Sequence, residues 1–132
     1  MPPEEAVYME LKIEEWGGFK GVGDGYGFHN NGKFYAILET RTGAYRGNHV
    51  HPYDQHTILL EGKATYIKFE GGRVETPLRK GERVTVNAGV PHILNVVEDC
   101  LTFEWWDGDF LAEDCSGYFE DITKDRIGIR RV

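Results

Sequence analysis

Four of the five histidines in this chain fall at two places. His49, His51 and His56 lie in GAYRGNHVHPYDQHTILLEG (residues 43–62), and His92 lies in GERVTVNAGVPHILN (residues 81–95). His49 and His51 stand two apart in a stretch that reads as extended, so both imidazoles point to one side of it. A strand has no simpler way to give two ligands to one metal ion. His56 lies just past the Pro52–Gln55 bend, and His92 opens a later strand after the Gly89-Val90-Pro91 turn. Neutral imidazole nitrogens, at about 2.0–2.2 Å, suit zinc, iron, nickel or copper and accept manganese. The expected cofactor is one divalent transition metal, Zn, Mn, Fe or Ni. The alternative is a metal-free pocket in which the same imidazoles act as acid–base or binding groups. His29, beside Asn30-Asn31-Gly32, reads as a solvated surface residue.

Strands must position these side chains. Period-two alternation dominates, and no segment keeps a 3.6-residue period for three turns. Val7–Glu14 alternates. Residues 16–27, WGGFKGVGDGYG, read as loop from their glycine content. Asn31-Gly32 signals a hairpin turn, because both residues tolerate positive φ, and it leads into FYAILET (residues 34–40). Further strands are expected at Thr57–Glu61, Ala64–Glu70, Val74–Leu78, Arg83–Asn87, His92–Val97 and Leu101–Asp107. Short strands divided by turns every 8 to 12 residues indicate a sandwich, jelly roll or barrel. The tail from Gly108 reads as an extended segment with one short turn of helix, then a strand at Arg126–Val132.

Composition narrows the class. At 132 residues the chain suffices for one domain with a core and not for two. A net charge of −7 argues against a nucleic-acid groove, which needs clustered Lys and Arg. The longest purely aliphatic run, Ile58-Leu59-Leu60, is far short of the roughly 20 residues of a membrane span. The N-terminal MPPEEAVYMELK has acid where a signal peptide has base, so a cytoplasmic location is expected. Cys100 and Cys115 have no metal spacing and read as two reduced thiols.

The two histidine segments resemble the motifs of the cupin superfamily, small jelly-roll β-barrels. The first motif is G-x5-H-x-H-x(3,4)-E-x6-G, matched here by Gly43, His49, His51 and Gly62. The second is G-x5-P-x-G-x2-H-x3-N, matched by Gly81, Gly89 and His92. The resemblance covers residues about 34 to 107 and implies a single cupin-type all-β domain over 1–132, with an N-terminal strand and a C-terminal extension flanking the barrel. The motif glutamate is missing. Counting forward from His51 reaches His56, whereas counting back from Gly62 reaches Gln55. Gln55 shares a face with Glu61, which an inward face should exclude, so His56 is the expected inward residue and fourth metal ligand beside His49, His51 and His92. Asn87 stands where the second motif has Pro, and its Asn comes one residue early, as Asn95.

Within cupins, Arg46-Gly47-Asn48-His49-Val50-His51 is similar to the R-G-x-H-x-H segment of nucleotide-sugar ketoisomerases and of the cupin domain of capsular-polysaccharide reductases. The stretch WWDGDFLAEDCSGYFED is similar to the segment after their last barrel strand. These likenesses imply a proton shift next to a sugar carbonyl, with His49 and His51 as catalytic residues and Arg46 and Glu104 contacting the substrate. An imidazole lifting and returning the proton and a metal polarising the carbonyl are both open. A surface salt bridge is the alternative for Arg46. Trp105 shares a face with Leu101 and Phe103 and reads as core, leaving Trp106 as surface or subunit contact. An iron-dependent dioxygenase and a non-catalytic binding barrel are the other function classes. Seventeen aromatics, with Tyr8, Tyr35 and Trp106 read as outward-facing, imply a homodimer in which the first strand takes part.

Overall fold

The computed structural model describes residues 11–115 and 117–128. Among these residues are nine strands and one short helix. The strands are β1 (Glu14–Glu15), β2 (Gly25–Asn30), β3 (Lys33–Thr40), β4 (Tyr45–Val50), β5 (Gln55–Phe69), β6 (Arg73–Pro77), β7 (Arg83–Val86), β8 (His92–Trp106) and β9 (Glu113–Asp114), and the helix is α1 (Glu120–Thr123). The fold is all-β, as the alternation requires.

The two 15-residue strands β5 and β8 pair antiparallel along nearly their whole length and form the spine. Along one edge of β8, β3 pairs with its later half and β4 with its earlier half. Along the outer edge of β5, β7 pairs with its first residues and β6 with its last. The spine is folded over rather than straight. Gln55 and Tyr66 are 11 residues apart on one strand, roughly 36 Å if it ran straight, yet the Gln55 amide reaches the Tyr66 hydroxyl at 3.1 Å. The bend lies where the β5–β8 register slips, between Leu59 and Ala64. Gly62 holds the corner with φ 97°, and a Cβ there would run into the Asp99 carbonyl. Gly62 and the Glu98-Asp99 pair therefore mark bends within two long strands, not breaks between four short ones.

Between the folded halves lies the core. Leu59, Ala64, Tyr66, Leu78, Val86, Leu94, Val96 and Cys100 form one cluster. Phe34, Ala36, Leu38 and Trp106 form a second, with Trp16 and Phe110 packed on it. A third cluster lies across the outer face of the β4 half, where Tyr45, Ile67 and Ile93 meet Cys115, Phe119 and Ile122 of the tail. Both cysteines are free and buried.

Asn31 and Gly32 have φ of 49° and 73°, the pair of positive values that a two-residue hairpin between β2 and β3 demands. Residues 25–27 are strand and not loop. Gly25 and Gly27 lie where the Leu38 side chain and the Phe34 ring press against the backbone, so their lack of a side chain serves packing. Of the expected strand Val7–Glu14, residues 7–10 lie outside the described residues and only Glu14 belongs to β1. Of the expected last strand, residues 129–132 lie outside them, and Ile127 makes a single bridge to Ala44. The short turn of helix in the tail is present as α1.

Candidate metal centre

His49 is the next-to-last residue of β4, His51 follows that strand, and His92 begins β8 opposite His49. A register shift between Gly47 and His49 sits beside them, with Gly47 and Asn48 both at positive φ. Such a bulge re-aims the side chains that follow it. The rings of His49 and His51 lie 4.3 Å apart, and each lies 5.0 Å from that of His92. One nitrogen from each of the three falls within 4.8 Å of the others, so the cluster can hold a metal ion.

Two of the rings have their tautomer fixed. His51 Nδ1 lies 2.7 Å from the Leu111 carbonyl, and His92 Nδ1 lies 2.9 Å from that of Val90. A carbonyl oxygen only accepts, so each Nδ1 carries the proton and each Nε2 presents a lone pair. Burial keeps both rings neutral. It pushes His92 down to about 3, opposed by the Val90 bond and helped by the positive charge of Lys68, and it lowers His51 against the opposing Leu111 bond. His51 Nε2 is buried with no hydrogen-bond partner among the described residues. An orphaned lone pair on a ring oriented by a carbonyl is the arrangement of a metal-bound histidine.

Gln55 completes the ring of donors. Its Nε2 donates to Glu104 Oε1 at 2.6 Å and to the Tyr66 hydroxyl, which turns Oε1 toward the histidines, 3.0 Å from His92 Nε2. Both facing atoms are then acceptors. A cation relieves that opposition, so the donor set fits a divalent metal.

The choice between residues 55 and 56 is thereby corrected: Gln55 faces inward and His56 outward. His56 bonds Thr85 Oγ1 at 2.9 Å and Asp107 Oδ2 at 2.8 Å, stacks on Trp105, and does not join the cluster. Glu61 does not share the inward face with Gln55. The register slip after Leu59 separates them, and Glu61 lies exposed against Lys80. The two tryptophans are exchanged as well. Trp106 is 2% exposed and lines the cavity, while Trp105 lies on the outer face beside Phe103. Outward residues of this half are as aromatic as the inward ones, so hydrophobicity did not distinguish the faces.

The cavity holds about 280 Å³ and is walled by Trp16, Phe19, Leu38, Leu94, Trp106 and Phe110, with His49, His92, Gln55, Tyr66, Arg46 and Glu104 among its other lining residues. Glu104 is buried and accepts from Thr102 at 2.7 Å as well as from Gln55. Burial raises its carboxyl, opposed by these bonds and by the charge of Arg46. Arg46 makes no salt bridge among the described residues. It donates to Thr40 Oγ1 and to the carbonyls of Gly17 and Glu39, which leaves two of its five N–H groups without a hydrogen bond among the described residues. His29 is exposed and bonds Asp109. Sequence reasoning missed Phe110 and the Leu111 carbonyl, which lie in an irregular segment where periodicity carries no signal.

Comparison with known proteins agrees. Among curated proteins none matches the sequence. Among solved structures, the capsular polysaccharide assembling protein CapF from Staphylococcus aureus is 17% identical with a TM-score of 0.66, covering 86% of this chain and 34% of its own. A mutant of Bacillus subtilis oxalate decarboxylase OxdC is 12% identical with a TM-score of 0.72, covering 83% and 33%. The Lactobacillus farciminis oxalate decarboxylase formate complex is 16% identical with a TM-score of 0.70, covering 81% and 36%. This chain thus spans about a third of the length of these structures and shares their fold. The cupin domain profile matches residues 36–105, more than half of the sequence, and the chain belongs to the cupin family.

Proposed function

We propose that the protein is a metal-dependent isomerase or epimerase that shifts a proton next to the carbonyl of a small substrate, of the sugar type that the resemblance implies. One observation carries this reading. The buried Glu104 lines the same cavity as His49 and His92, two of the three clustered histidines. A bound divalent metal supplies Lewis acidity at a carbonyl oxygen. His49, His51, His92 and Gln55 would hold it. Glu104, its pKa raised by burial, is then the group to take the proton from the neighbouring carbon and return it. The C–H electron pair moves into the new C=C bond and the carbonyl pair onto oxygen, and reprotonation reverses or relocates that shift. Trp16, Phe19 and Phe110 wall the cavity and limit entry of water.

In this reading His49 and His51 keep the expected role of holding the metal, and the acid–base role also expected of them falls to Glu104. In a metal-free pocket His49, the half-buried member, would be the base. A cluster of three histidines that brings no carboxylate to the ion, beside a largely apolar lining, favours a second reading, an iron-dependent dioxygenase. Metal analysis followed by exchange in D2O tests both. Isomerase chemistry replaces a carbon-bound proton with deuterium and consumes no oxygen, whereas a dioxygenase loaded anaerobically with Fe(II) consumes O2 with its substrate. Metal uptake without either reaction across a panel of keto sugars and keto acids would favour a binding barrel.

A further inference from the structure

Gln55 is the only glutamine in the chain. On a free side chain either end of the amide can face the histidines; here Glu104 decides. A carboxylate accepts and does not donate, so the atom 2.6 Å from Glu104 Oε1 is the amide nitrogen. The second proton of that nitrogen goes to the Tyr66 hydroxyl at 3.1 Å, and Tyr66 is held in turn by Thr57 Oγ1 at 2.6 Å. The other Glu104 oxygen, Oε2, accepts from Thr102 at 2.7 Å. All members of this network are 4% exposed or less, so turning the amide over would strand buried donors and acceptors. The pairing also concerns charge. His49, His51, His92 and Gln55 are neutral as donors, and a divalent ion among them keeps its whole charge. Charge buried without a counter-charge is costly. Of the described residues that line the cavity, Glu104 is the sole acid, and it stands one hydrogen bond behind Gln55.

Resting on the reading of the site as a metal centre, we infer that Gln55 and Glu104 hold a divalent ion as one unit. The amide supplies the oxygen, and the carboxylate behind it fixes that oxygen's direction and balances the charge. A carboxylate so placed also raises the basicity of the ligand that it holds. In this respect Glu104 is a positioning residue, a role separate from the proton transfer proposed above and readable without turnover. Exchanging the two side chains conserves both charge and hydrogen bonds. With Gln55→Glu and Glu104→Gln together, the carboxylate faces the ion, and the amide behind it donates inward to that carboxylate and accepts from Thr102.

The test uses the full-length protein, with zinc affinity measured by competition against a chromophoric chelator. Glu104→Gln keeps the volume and an acceptor for Gln55 while removing the charge, and should weaken zinc binding at least about tenfold. Adding Gln55→Glu to that variant should return the affinity to within about threefold of the parent. As the sole glutamine, Gln55 gives a single side-chain carbonyl 13C signal when glutamine is labelled, and zinc should move it in the parent. If Glu104→Gln does not fold, the exchanged variant is compared directly with the parent, and a loss above about tenfold overturns the inference. So does an affinity unchanged by Glu104→Gln, or an exchanged variant that binds no better than Glu104→Gln. An unmoved Gln55 carbonyl signal in zinc-loaded parent overturns it as well. Failure of the parent to take up zinc is a separate result and refutes the metal centre itself.

Discussion

The inner and outer faces of one strand pair, the first half of β5 against the second half of β8, use the same residue types to different ends. Inward, Gln55, Glu104 and Trp106 line a cavity together with His49 and His92, and Thr57 is buried beside them against the Tyr66 hydroxyl. Outward, His56, Trp105, Phe103 and Tyr35 form a stacked aromatic row, and His56 has both nitrogens engaged by Thr85 and Asp107. The difference lies in the partner of the second nitrogen. A backbone carbonyl on Nδ1 leaves Nε2 for a metal, whereas hydroxyl and carboxylate partners at both ends use the ring up. A histidine's neighbours say more about its role than its position in a motif.

The largest contrast should appear in metal affinity. Removing His51 or His92 (His51→Ala, His92→Ala) should weaken zinc binding by at least about a hundredfold. His56→Ala should change it by no more than about threefold. Competition with a chromophoric chelator measures both, and equal losses would erase the distinction between the faces.

Carboxylates on the two faces should differ in stability. Glu104→Ala strands the Gln55 and Thr102 donors in the interior and should cost about 3 kcal/mol in urea unfolding. Asp107→Ala opens a half-exposed pair and should cost under about 1 kcal/mol.

Acid should act through the inner face. His92 has a folded pKa of about 3, below its unfolded value near 6.5, so between those limits the unfolded chain binds a proton that the native state refuses. Metal-free protein should therefore lose about 2 kcal/mol between pH 7.5 and pH 5 on this account. His92→Gln should flatten that slope.

The smallest energies concern association. We propose, as from the sequence, that the chain forms a homodimer. Strand β1 lies at a sheet edge, and Tyr26 and Ile37 are exposed on β2 and β3. Light scattering at micromolar concentration should give about twice 15.1 kDa, and deleting residues 1–14 should weaken the dimer. A monomer under those conditions would leave the outer aromatic row as a surface feature of the single chain.

The turns were legible because their residues obey local rules: Asn31-Gly32 needs no tertiary context to form a hairpin. The His49, His51 and His92 trio was legible because alternation and motif order agree. Face assignment at residues 55, 56, 105 and 106 was not. It depended on a register slip at the Gly62 corner and on an aromatic outer surface, and neither leaves a trace in period-two patterning. The Leu111 carbonyl had no signal at all, since every residue has a carbonyl.

That last point bears on how the site can change over generations. The tautomers of His51 and His92 are set by the main chain at positions 111 and 90, and no side-chain substitution deletes a carbonyl. Residues 90 and 111 are free to vary in type while their control over the imidazoles persists. A one-residue insertion or deletion between Asp107 and Asp114 would instead slide the carbonyl away from His51 and shift β9 against His49. The centre is thus buffered against point mutation in the tail and vulnerable to changes in its length.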